Sequence, residues 1–108
     1  MDQQTNDLIK NEIENNEVCL FMKGTPDAPQ CGFSMATSNI LKILEVNFKG
    51  VNVLENQNLR EGIKVFSDWP TIPQLYVKNE VYINDKTKVT IDELSTSNKS
   101  WLTNYMSK

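Results

Sequence analysis

No histidine occurs anywhere in the 108 residues. That absence removes Ser-His-Asp triads, Cys-His nucleophile pairs and histidine-ligated metal sites together, so any cysteine chemistry has to be activated by something other than an imidazole. Cysteine itself is scarce. Cys19 and Cys31 are the only two, too few for the dense disulfide framework of a secreted mini-protein and better suited to thiol chemistry in a reducing compartment. No apolar run approaches the roughly 20 residues of a membrane span, and Met1-Asp2-Gln3-Gln4-Thr5 carries acid and amide where a secretion signal would carry Lys or Arg. Basic stripes are missing too: 11 Lys and Arg lie scattered among 14 Asp and Glu, for a formal charge of -3. Without an electrostatic footprint for nucleic acid or anionic lipid, neither is expected as a partner, and the chain is expected to be soluble and intracellular.

What is present fits one compact domain with one core. Residues 2–15 are polar, with Leu8, Ile9 and Ile13 spaced as a weak helical stripe. Val18-Cys19-Leu20-Phe21-Met22 is a continuous apolar run suited to a buried strand. Lys23-Gly24-Thr25-Pro26-Asp27-Ala28-Pro29-Gln30 carries two prolines and a glycine in eight positions and reads as a loop that delivers the chain to Cys31. From Ser34 to about Leu44 apolar residues return at helical spacing, which puts Cys31 at or just before a helix N-terminus. Phe48 to Leu54 reads as a second strand, and Leu59, Ile63 and Phe66 as the stripe of a further helix. Trp69-Pro70-Thr71-Ile72-Pro73 is a rigid turn before two short strands, Gln74–Val77 and Val81–Ile83, paired as an antiparallel hairpin. Thr90-Ile91-Asp92-Glu93 has the capping-box pattern and opens a terminal helix with Leu94, Trp101, Leu102 and Tyr105 on its apolar face. The predicted order is α-β-α-β-α-β-β-α.

That order, with a loop cysteine at a helix start and a proline turn before a hairpin, resembles the thioredoxin-like architecture. The expected fold is α/β, with a central four-stranded mixed sheet flanked by helices. Phe21-Met22-Lys23-Gly24-Thr25-Pro26, Cys31-Gly32-Phe33-Ser34, Arg60-Glu61 and Trp69-Pro70-Thr71-Ile72-Pro73-Gln74-Leu75-Tyr76 together resemble monothiol glutaredoxins of the Cys-Gly-Phe-Ser type. The likeness runs over about residues 5–82, so that 1–108 is read as a single glutaredoxin domain, divergent over 83–108. In that family a two-iron, two-sulfur cluster is held between two protomers by the motif cysteine of each and by two glutathione thiols. The resemblance therefore implies glutathione and the cluster as cofactors, with Cys31 as metal ligand and catalytic sulfur. Its implied partners are a second copy when loaded, recipient iron–sulfur apoproteins and a BolA-like protein. The implied location is the bacterial cytoplasm, or an organelle matrix once a presequence has been removed. Family members follow the hairpin with a double glycine, a small residue and an aspartate that grip the γ-glutamyl end of glutathione. Here the chain reads Ile83-Asn84-Asp85-Lys86-Thr87-Lys88, and Asn84 and Asp85, both tolerant of positive φ, are the residues that would form such a turn.

At a helix N-terminus, free amides and partial positive charge favour thiolate over thiol, which poises Cys31 as nucleophile or ligand. The alternative is an inert buried cysteine. Ser34 stands where a dithiol protein has its resolving cysteine, so no disulfide can close within the motif. A two-iron cluster wants four ligands, and one chain offers one plausible exposed cysteine, so two chains must meet and two thiols must come from outside. Cys19, inside an apolar run, reads as core. Lys23, ending the first strand, and Arg60, by its family match, would bind glutathione carboxylates, Lys23 also supporting the thiolate; surface charges are the alternative for both. Gly32 would permit close approach of a ligand, and Phe33 would cover the cluster edge or join the core. As in the family, Pro73 would follow a cis bond, with the Ile72 backbone pairing to the glutathione peptide and Thr71 lining the groove. The reading is a glutathione-dependent cluster carrier with at most weak oxidoreductase activity. Its competitors are a thiol–disulfide oxidoreductase that removes glutathione from substrates, and a degenerate member whose glutathione binding is weakened.

Overall fold

A computed structural model describes residues 2–43, 45–68, 70–77 and, for the backbone, 80–83. Trp69, Asn84, Asp85 and the terminal helix anticipated from residue 90 lie outside the described residues. The chain opens with α1 (Gln3–Asn15), begun by the Asp2 carboxylate, which accepts the Thr5 N–H at 2.7 Å. The buried stripe of α1 is Thr5, Ile9 and Ile13. Leu8, expected in that stripe, is 38% exposed, because the buried i, i+4, i+8 row is Thr5, Ile9 and Ile13 and Leu8 falls to its side.

Next comes β1 (Val18–Met22), buried along its whole length. Its side chains divide by alternation between two cores. Val18, Leu20 and Met22 pack with Leu41, Val46, Leu75 and Val77 on one face, while Cys19 and Phe21 pack with Ile9, Ile13, Val53, Leu59, Ile63, Ile72 and Tyr76 on the other. The two faces are covered by helices: α2 (Gly32–Ile43) contributes Leu41 to the first core, and α1 with α3 (Gln57–Ser67) closes the second. β2 (Lys49–Asn52), β3 (Gln74–Val77) and β4 (Glu80–Ile83) complete a mixed four-stranded sheet of order β2-β1-β3-β4. β1 runs parallel to β2 and antiparallel to β3, which pairs antiparallel with β4, so the expected hairpin is present. The fold is the thioredoxin-like α/β architecture.

The second strand is shorter than the span 48–54 expected from its apolar residues. Asn52 ends it, since its side-chain oxygen accepts the Leu54 N–H at 3.0 Å and turns Val53–Glu55 into a single 3-10 turn. Asn56 caps α3 in the same way through the Leu59 N–H, and Asp68 closes that helix in the left-handed conformation. No helix among the described residues is long and apolar enough to cross a membrane.

Cys19 is fully buried, and burial, with the Glu12 carboxylate adding, pushes its thiol up from 9.0 to about 12. An unfolded chain releases this proton near the lower value while the folded chain keeps it, so between the two the unfolded state binds fewer protons and stability falls as pH rises. Below that window the group contributes no pH dependence. The Cys19→Ala variant is therefore expected to lose stability less steeply than the parent above pH 9, by up to about 1.4 kcal/mol per pH unit. Denaturant melts in steps of pH measure this, and an unchanged slope would contradict the assignment. In the native protein a thiol reagent should label Cys31 alone, with Cys19 reacting only on unfolding.

Candidate functional site

Where β1 leaves the sheet the chain enters a loop closed on itself. Thr25 and Ala28 exchange backbone hydrogen bonds at 3.2 and 3.1 Å, Gly24 bridges to Pro29, and the Gln30 N–H donates to the Lys23 carbonyl at 2.8 Å. Gly24 has φ +91°, and a Cβ there would lie 2.5 Å from the Ala28 oxygen and 2.6 Å from the Gln30 nitrogen, so the turn requires glycine. Three outside groups pin the loop. The Asn52 side-chain oxygen accepts the Gly24 N–H at 2.9 Å, the Lys42 ammonium donates to the Pro26 carbonyl, and Pro26 packs against Gly50, where a Cβ would sit 2.6 Å from its ring.

Having returned to Lys23, the chain reaches Cys31 just ahead of α2, whose first turn is closed by the Met35 N–H donating to the Cys31 carbonyl at 2.8 Å. Cys31 is half-buried, with its sulfur at the N-terminal start of α2. The Ser34 N–H holds the thiol below its ordinary value against the opposing effect of burial, with the Phe33 N–H, the Ser34 hydroxyl and the Lys23 charge adding smaller contributions. Ser34 is fully buried, and its Oγ accepts the Lys23 N–H at 3.0 Å, which joins the end of β1 to the start of α2. Cys31 is thus the accessible thiol and Cys19 the core one, as the apolar run around Cys19 and the loop before Cys31 indicated.

Topology brings the other candidates to the same end of the sheet. Because β3 runs against β1, with Gln74 opposite Phe21, the segment Thr71-Ile72-Pro73 that precedes β3 sits level with the exit of β1. Thr71 is exposed and Ile72 and Pro73 are buried, with a cis bond between them. Buried Gln74 braces this turn, donating through Nε2 to the Thr71 carbonyl at 3.1 Å while its Oε1 accepts the Tyr76 hydroxyl at 3.0 Å. Arg60 lies in the first turns of α3, which follows the C-terminal end of β2 and so starts at this edge as well. It is half-buried, and its Nε has no hydrogen-bond partner among the described residues. Lys23 is half-buried, whereas Phe33 is 67% exposed beside the cysteine and is no part of either core. Around Gly32 a Cβ would meet nothing within 4 Å. The pairing of Asn84 and Asp85 with this edge lies outside the described residues. Sequence reading missed Asn52 and Lys42. The only sign of Asn52 was an amide within the strand-like run 48–54, a residue type that bonds backbone two positions on.

A basic residue, a polarised sulfur and a run of turn backbone thus converge at the carboxyl ends of two parallel strands, the edge of an α/β sheet where ligands ordinarily bind. The glutaredoxin family model matches residues 18–83. A relative from Rickettsia felis, named probable monothiol glutaredoxin 2, is 55% identical over 75 residues, covering 69% of this chain and 72% of the relative. The mitochondrial monothiol glutaredoxin-5 of Lachancea kluyveri is 55% identical over 80 residues, 71% of this chain and 56% of its own length. Among solved structures, the reduced apo form of poplar GrxS14 superposes with a TM-score of 0.69 at 39% identity, over 94% of this chain and 88% of that one. The chain belongs to the glutaredoxin family, among its monothiol members.

Proposed function

We propose that this chain binds glutathione beside Cys31 and, in pairs, carries a two-iron, two-sulfur cluster for delivery to iron–sulfur apoproteins. The observation that carries the reading is the isolation of one accessible, acidified sulfur: Ser34 fills the place of a resolving cysteine, and Cys19 is shut in the core. Among the described residues no three Cys, Asp or Glu side chains gather as a metal site. Four ligands for a two-iron cluster then require Cys31 from each of two chains and two thiolates from solution, and glutathione is the abundant intracellular source. Lys23 and Arg60 would receive its carboxylates, the buried Arg60 Nε having no hydrogen-bond partner among the described residues. Thr71 and the backbone at Ile72 and Pro73 would line the groove, and Asn84 and Asp85 would hold the γ-glutamyl end. Gly32 leaves room for the ligand's approach and Phe33 would shield the cluster edge from water. From the family resemblance alone we read the compartment as a bacterial cytoplasm or an organelle matrix, with a BolA-like protein as a further partner.

The lowered Cys31 thiol also favours a second reading, thiol–disulfide exchange. The Cys31 thiolate attacks the glutathionyl sulfur of a mixed disulfide and releases the substrate thiolate. A free glutathione thiolate then attacks the Cys31–glutathione disulfide, regenerating Cys31 and leaving as oxidised glutathione.

Anaerobic reconstitution with iron, sulfide and glutathione separates the two. Visible sulfide-to-iron absorption with dimer-sized elution is expected, absent without glutathione and absent in Cys31→Ser; colour retained in that variant would refute the assignment. Rapid deglutathionylation without absorption bands would leave the enzyme reading. Amide signals of Lys23 and Ile72 that stay unmoved by glutathione would instead indicate a degenerate site.

The Ser34→Ala variant removes a donor to the sulfur and leaves the half-buried Lys23 N–H without its side-chain acceptor, at a cost of about 1 kcal/mol. The midpoint of Cys31 alkylation by iodoacetamide is expected to move to higher pH, so that labelling at neutral pH slows severalfold. An unmoved midpoint would show that the hydroxyl does not support the thiolate.

A further inference from the structure

We propose that Asn52 is a positioning residue for the cysteine site, its side-chain oxygen fixing the Gly24 amide and so the direction in which Lys23 and the loop leading to Cys31 are presented. The binding part of this inference rests on the glutathione reading above; the part concerning the sulfur does not.

Asn52 ends β2 opposite Met22, the last residue of β1. At that point the two parallel strands separate, β1 running into the loop and β2 into its 3-10 turn. One oxygen takes an N–H from each departing chain, Gly24 at 2.9 Å and Leu54 at 3.0 Å, which uses both lone pairs of the side-chain amide. The contact with Gly24 spans 28 positions in sequence. Lys23 is thereby bracketed. Its own N–H is taken by Ser34 Oγ of α2 at 3.0 Å and the next N–H by Asn52 of β2, so two consecutive peptide planes are held by side chains from different elements.

Those two planes set the backbone dihedrals of Lys23 and hence the direction of its side chain. Gly24 has no slack to absorb a change, being buried at φ +91° with the Ala28 and Gln30 backbone against the place of a Cβ. The loop-closing bond from the Gln30 N–H to the Lys23 carbonyl moves with the same planes. A shift at Gly24 therefore reaches both the cation that faces the sulfur and the segment that delivers the sulfur. Asn52 touches neither glutathione nor Cys31 in this account and acts through Gly24.

The test uses the full chain with Asn52→Ala, which deletes the acceptor, and Asn52→Asp, which keeps an oxygen in its place. In Asn52→Ala the Gly24 amide is expected to exchange hydrogen about tenfold faster or more, as a lost hydrogen bond requires. Reduced glutathione should bind about threefold or more weakly, the order of loss when a binding side chain is no longer held in one geometry. The Cys31 alkylation midpoint should rise, and Asn52→Asp should restore the protection of Gly24. A lowered Tm in Asn52→Ala with unchanged glutathione affinity and an unchanged Cys31 midpoint would overturn the proposal, because Asn52 would then only support the scaffold. If the parent binds no glutathione, the glutathione reading fails, and the Gly24 exchange rate with the amide shifts of Lys23 in the same variants still decides the role of Asn52. If Asn52→Ala does not fold, the Gly24 amide decides it: protection in the parent and in Asn52→Asp supports the proposal, and exchange at the unprotected rate in the parent overturns it.

Discussion

The Ser34 side chain is where the core and the chemistry meet. Its hydroxyl accepts the N–H of the first residue past β1, while its own backbone N–H gives the largest contribution to the acidity of the Cys31 sulfur. It is fully buried, so its bond to the Lys23 N–H is little exposed to competition from water. Helix α2 lies on the β1 face made by Val18, Leu20 and Met22, against which Leu41 packs. The height of the sulfur above the sheet edge is therefore set by hydrocarbon contacts more than two turns further along the helix, and Ser34 converts that packing into a fixed distance between the Lys23 backbone and the thiolate. A cysteine in the same place would supply a second sulfur but a weaker hydrogen-bonding group for the Lys23 N–H. In this chain position 34 does structural work that a resolving cysteine would do less well.

Much of the fold could be read from periodicity because the strongest signals are local. Val18–Met22 is apolar without interruption, as a strand covered on both faces must be, and the Leu59, Ile63 and Phe66 stripe places α3 with only its ends uncertain. Interactions that join distant segments left weaker traces. The apolar residues of 48–54 suggested a longer strand, and the early end at Asn52 follows from a side chain bonding two positions ahead and across to Gly24. Leu8 looked like part of the α1 stripe, but Thr5 is buried instead, because the helix packs on the row through Ile9 and Ile13. Hydrophobicity alone does not choose between neighbouring rows of a short, polar helix.

The site was legible in a similarly uneven way. The position of Cys31 before a helix followed from loop composition, and its accessibility and acidity follow from that position. Phe33 was balanced between core and surface on sequence grounds, and the structure decides for the surface because Ser34 and Thr37, not Phe33, turn inward from the first turns of α2. Ser34 could be recognised only by what it prevents, a disulfide within the motif. What it and Asn52 do for Lys23 depends on the register of β1 against β2 and on the docking of α2, neither of which a linear pattern encodes.

The two thiols show how far environment divides one functional group. On β1, alternation turns Cys19 into the core between α1, α3 and Tyr76, where burial makes the thiolate so costly that the group is inert at any physiological pH. Cys31, twelve positions on, has amide donors at its sulfur and little hydrocarbon above it. The buried sulfur cannot turn out to meet the exposed one without breaking the strand at the centre of the sheet, so no disulfide within the folded chain can quench Cys31. Any disulfide formed by the folded protein must then join this sulfur to one from another molecule. The same isolation that excludes an internal disulfide means that a mixed disulfide at Cys31, or a metal centre shared through it, would depend on a thiol that the chain does not itself supply.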